Sequence, residues 1–122
     1  MELKIKLYED RLCRKLKEEK TASDFGLSVG LCEEILNAVN IDMFLDGGFS
    51  ALSDESKLEL ILPIIKENYS FFKELLAELF EVSVEDISTV DIMQIGVVIM
   101  NIIAYAVNKM KPFAKKDKSG KN

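Results

Sequence analysis

FFKELLAELFEVSVEDISTVDIMQIGVVIMNIIAYAVN, Phe71 to Asn108, carries more apolar surface than one face of a surface helix needs. Wound as a helix from Asp91 to Lys109, it leaves only Gln94, Asn101, Tyr105 and Asn108 on a polar stripe. Ile92, Met93, Ile95, Val97, Ile99, Met100, Ile102, Ile103, Ala106 and Val107 cover the rest of the circumference. A helix apolar nearly all round has to be buried, by its own domain or by something else. Just upstream, Phe72, Leu75, Leu76, Leu79 and Phe80 keep helical spacing. Ser83, followed by Glu85 and Asp86, opens a short helical turn, and Ser88 to Asp91 starts the last long helix. Asp91 suits its positive end, and Lys109 and Lys111 its negative end.

Further toward the N-terminus, Ser53 or Asp54 opens a helix in which Leu58, Ile61, Leu62 and Ile65 recur across Pro63. A proline there removes a backbone hydrogen bond and crowds the preceding turn, which predicts a kink or a split between residues 60 and 69. Asp46, Gly47 and Gly48 mark a break, and Ser28 caps a helix over Val29 to Val39. At the start of the chain Leu3, Ile5 and Leu7 alternate with Lys4 and Lys6, the period of a half-buried strand. Glu9 and Asp10 make a turn, and Leu12 to Glu18 return as a second strand, although Leu12, Cys13 and Leu16 also fit a short helix. The expectation is a mainly α, α+β domain over residues 1–111. A hairpin within 1–20 packs on four or five helices within 28–111, and a basic disordered tail follows over 112–122.

Composition bounds the function. Of 122 residues, 48% are hydrophobic and 30% charged, a globular balance rather than a disordered one. The net charge of −5 hides an asymmetry, since residues 109–122 hold six lysines against Asp117 while the body carries about twice as many acids as bases. An acidic body argues against wrapping nucleic acid, where phosphate neutralisation supplies most of the affinity. No apolar run follows Met1, so no secretory signal is read, and Cys13 and Cys32 stand as isolated thiols suited to a reducing cytoplasm. The apolar run Ile92 to Val107 falls short of the roughly 20 residues of an ordinary membrane span, so no membrane association is expected.

Chemistry-bearing motifs are sparse. Cys13 and Cys32 are too far apart for metal-ligand spacing and no histidine is present to complete a set, and the commonest nucleophile and base pairing lacks its usual partner. Glu33 with Glu34 and Glu85 with Asp86 read as solvated or capping carboxylates, and Cys13 as a small packed thiol rather than one activated by Arg14 or Lys15. Gly26, Gly30, Gly47 and Gly48 match no phosphate loop, and Asp42 and Asp46 no calcium loop. The expectation is a non-enzymatic chain without cofactor or metal. What remains is large, adaptable apolar area: Phe44, Phe49, Tyr69, Phe71, Phe72 and Phe80, with Met43, Met93, Met100 and Met110. It forms either the core of a helical bundle or a groove for an apolar segment of another protein.

Three segments, KIKLYED (Lys4–Asp10), NIDMFLDGG (Asn40–Gly48) and IKENYSFFKELLAELFEVSVEDISTVD (Ile65–Asp91) running into the apolar helix, resemble the small tail assembly chaperones of long-tailed bacteriophages and prophages. The resemblance spans residues 2–110 and is one of pattern. It implies a virion-assembly factor in the bacterial host's cytoplasm that binds the tape measure protein and helps tail tube protein polymerise around it, without entering the finished tail. Members of that family are often made in a short form and a longer frameshifted one. Phe71, Phe72, Leu75 and Phe80 on one helix and Met93, Val97 and Met100 on the last are the expected partner-binding residues, chosen for size and helical period. Two other classes compete. One is a self-associating structural or adaptor subunit that buries the apolar helix in a homo-oligomer. The other is a small DNA-associated regulator, opposed by the absence of any Lys or Arg from Val29 to Asp46.

Overall fold

The alternation in the first strand sets the architecture. In the computed structural model, which describes residues 2–39 and 51–120 with side chains through residue 110, Leu3–Tyr8 forms β1 and Leu16–Ala22 forms β2. They pair antiparallel, Leu3 opposite Ala22 and Leu7 opposite Glu18, with a bulge before Tyr8 meets Leu16. Leu3, Ile5 and Leu7 are all buried, whereas β2 buries only Ala22. One strand faces the core and the other flanks it.

The returning strand starts four residues later than the sequence predicts. Asp10 explains the delay. Its Oδ1 accepts the backbone N–H of Arg14 at 3.0 Å and of Lys15 at 3.1 Å, its carbonyl accepts Cys13 N–H at 3.1 Å, and Cys13 adopts a left-handed φ of 56°. These bonds stabilise a wide loop in place of a tight turn. Leu12 and Leu16, whose spacing entered the strand reading, both lie exposed.

Five helices follow among the described residues: α1 (Val29–Ala38), α2 (Asp54–Glu67), α3 (Tyr69–Phe80), α4 (Val84–Ile87) and α5 (Ile92–Gly120). All but α3, which has no side-chain cap, start on capping side chains. Ser28 Oγ accepts Leu31 N–H at 3.1 Å, Ser53 Oγ accepts Ser56 N–H at 3.2 Å, and Ser83 with Asp86 closes a reciprocal capping box. Asp91 Oδ1 accepts Met93 N–H at 2.8 Å at the head of α5. The break predicted at Asp46 to Gly48, with Asp42, Met43, Phe44 and Phe49, lies outside the described residues.

The split predicted between residues 60 and 69 occurs at Asn68, not at Pro63, which sits inside α2 with its ring exposed. Asn68 terminates the helix because its amide serves the carbonyls left open there: Nδ2 donates to Ile64 O at 3.0 Å and to Ala38 O at 3.4 Å. The second of these bonds ties the α2–α3 junction to the end of α1. Helical backbone also continues in α5 past Pro112 to Gly120, over a stretch read from sequence as disordered. A proline there forfeits one backbone bond, and the alanine and lysines after it retain good helix propensity.

The last helix organises the rest. It packs against α1, α2 and β1, and its Ile99, Ile102, Ile103 and Ala106 are completely buried. Gly96 lets α2 come close: a Cβ at that position would lie 2.8 Å from Leu58 Cδ2. From the other side β1 docks by its backbone as well as its side chains, since Lys6 N–H donates to Gln94 Oε1 at 2.8 Å. The packed elements form an α+β domain, mainly α, with an N-terminal hairpin.

Candidate functional site

The side chains expected to meet a partner fall into three environments. Phe72, Leu75 and Phe80 are 1%, 5% and 3% exposed, so almost all their surface is already used in the chain's own core. Phe71 and Met100 are half-buried and packed against that core. Met93 and Val97 are 50% and 41% exposed, with Ile92 beside them at 56%. Of the two covers the sequence left open for α5, the domain itself supplies most, but not at the first turns. Met93 and Val97 lie one helical turn apart and with Ile92 form an exposed apolar stripe, whereas Met100, the next residue at that spacing, is partly covered by the core.

The segment Ile92–Met110 of α5 is 19 residues long with a mean hydropathy of 1.5, long and apolar enough to cross a membrane by length and composition. Sequence counting stopped at Val107 and read it as too short. Of that stretch 44% is buried in the domain, packed against α1, α2 and β1.

A second surface was not visible in the sequence. Between the Ser23–Leu27 connection, α1 and α3 runs an open groove whose larger part has a volume of about 380 Å³. A smaller depression adjoins it through shared Leu31, Leu75 and Glu78. Its floor is apolar: Phe25, Leu27, Leu31, Phe71, Leu75 and Leu79. Its charged rim is all of one sign, with Asp24, Glu34, Glu74, Glu78 and Glu81 and no lysine or arginine in the lining. None of these five carboxylates forms an ion pair among the described residues. The local reason is helical: Phe71, Leu75 and Leu79 recur every fourth residue of α3, with Glu74 and Glu78 on the adjoining stripe. Glu81 closes α3 in a left-handed conformation at φ 56°.

The thiols lie apart from both surfaces. Cys13 Sγ contacts Thr89 O at 3.7 Å, and its pKa is pushed up, first by desolvation and then by the carboxylates of Asp91 and Asp10. The shift runs opposite to the lowering by which Arg14 or Lys15 would activate the thiol. Cys32 is buried among apolar neighbours, which likewise raises its pKa. Among the described residues no three His, Cys, Asp or Glu side chains gather as metal ligands, and no polar or charged residue is buried.

Comparison of the whole chain with protein-family models, with curated proteins and with solved structures finds no match.

Proposed function

We propose that this protein is a tail assembly chaperone of a long-tailed phage or prophage. In this reading it acts in the cytoplasm of the bacterial host, holding apolar segments of the tape measure protein while tail tube protein polymerises around them. The observation that carries the reading is the Ile92, Met93 and Val97 stripe on a helix whose other faces form the core. Exposed apolar side chains grouped on one rigid element can bind an apolar segment, and methionine adapts its shape to varied sequences. The likeness of segments Lys4–Asp10, Asn40–Gly48 and Ile65–Asp91 to that family supplies the identity of the client.

Co-expression with the long coding sequence downstream in the same genome tests this. The partner should be insoluble alone and recovered soluble in complex with the wild-type chain. Met93→Asp/Val97→Asp should fold normally yet recover much less of it. A partner that is soluble by itself and does not associate, or one held equally well by the double variant, removes this reading.

A further inference from the structure

The groove between α1 and α3 has a preformed apolar floor and a rim of carboxylates that nothing in the described body neutralises. The complementary segment is in the same sequence. Residues 109–122 hold Lys109, Lys111, Lys115, Lys116, Lys118 and Lys121 against Asp117, with Met110 and Phe113 three residues apart among them. On a helix that spacing puts two large apolar side chains on one face with lysines beside them. An apolar floor with an acidic rim calls for this pattern in its occupant.

We propose that the groove receives the lysine-rich end of α5 from a second copy of this chain. Geometry favours the second copy over the first. Val107 is packed in the core, and α5 continues to Gly120 as a single helix, a further reach of roughly 20 Å at 1.5 Å per residue. A helix unbroken over that length has no turn by which to fold back into the groove of its own chain. The contact is head-to-tail, with a different patch on each copy, so it builds rings or open chains rather than a closed symmetric pair. The surface used is distinct from the Met93 and Val97 stripe, so the proposal does not depend on the client reading.

Sedimentation equilibrium of the full chain is the test. At about 0.05 M salt the mass should rise with concentration, and at about 0.5 M salt it should fall to the 13.8 kDa of one chain as screening weakens the rim contacts. Glu74→Lys/Glu78→Lys, at two exposed positions, and Lys115→Glu/Lys116→Glu should each stay monomeric with an unchanged far-ultraviolet spectrum. An equimolar mixture of the two variants should associate again, because the reversed end then meets the reversed rim and the unreversed pair is also present. A wild-type chain that is monomeric at every concentration overturns the proposal. So do variants that associate as the wild type does, and a mixture that stays monomeric, which would assign the groove to the chain's own end or to an unrelated partner.

Discussion

Ser83 and Asp86 show how much one polar pair contributes where a chain reverses between two helices. Ser83 Oγ accepts Asp86 N–H at 3.1 Å and Asp86 Oδ2 accepts Ser83 N–H at 3.4 Å, while Lys17 approaches the same carboxylate at 3.6 Å from β2. Ser83→Ala removes the Oγ acceptor while the backbone N–H of residue 83 can still donate to Asp86, and should cost about 0.5–2 kcal/mol in urea unfolding. The Asp86 pKa lies below the ordinary carboxylate value, chiefly through hydrogen bonds with Ser83 and further through Lys17. A depressed folded pKa means that this contribution is complete above the ordinary carboxylate pKa and is lost as pH falls through the folded value. Asp86→Asn should therefore flatten the dependence of stability on pH at the acid end, read by urea titrations at stepped pH. Gly96 is a site of a different kind, because its missing side chain sets the spacing of two helices. Gly96→Leu pushes against Leu58 and should destabilise by about 1–3 kcal/mol despite leucine's better helix propensity.

The two sides of α5 make opposite demands on substitution. Ile102 is wholly buried, so Ile102→Ala should cost about 2–5 kcal/mol by thermal or urea unfolding. Met93→Asp, on the exposed stripe, should change stability by no more than about 0.5 kcal/mol. Sequence periodicity located both sets of residues but could not separate them, because a count of apolar residues does not say which neighbours arrive. The same boundary runs through the rest of the chain. Ser28, Ser53 and Ser83 were legible as caps because capping is local, and β1 was legible because Leu3, Ile5 and Leu7 alternate over so short a span. The late start of β2 depends on Asp10 reaching Arg14 and Lys15, and the break at Asn68 on a bond to Ala38 thirty residues away. Periodicity carries neither.

Across the whole molecule the candidate surfaces were the least legible feature. Glu74, Glu78 and Glu81 beside Phe71, Leu75 and Leu79 were an available sign of an acidic edge on an apolar helix face. The groove exists only because α1 and the Ser23–Leu27 connection lie across from that face, an arrangement fixed by long-range packing. Phe72 and Phe80 looked identical to Phe71 in sequence and ended in the core for the same reason. The bond from Lys6 N–H to Gln94 Oε1 is the polar link that fastens the hairpin to α5. With the Lys6 amide turned away from β2, that of Ile5 points into the ladder. Gln94→Ala should speed hydrogen exchange at Lys6 while leaving Ile5 protected, measured residue by residue by NMR.

That same bond joins residues 88 positions apart. A ribosome adding about 5–20 residues per second needs several seconds to get from one to the other. Throughout that interval Leu3, Ile5 and Leu7 have emerged without the helix that will cover them. β1 waits for a helix made long after it, so the synthesis of α5 decides whether the hairpin docks or is left open to other chains.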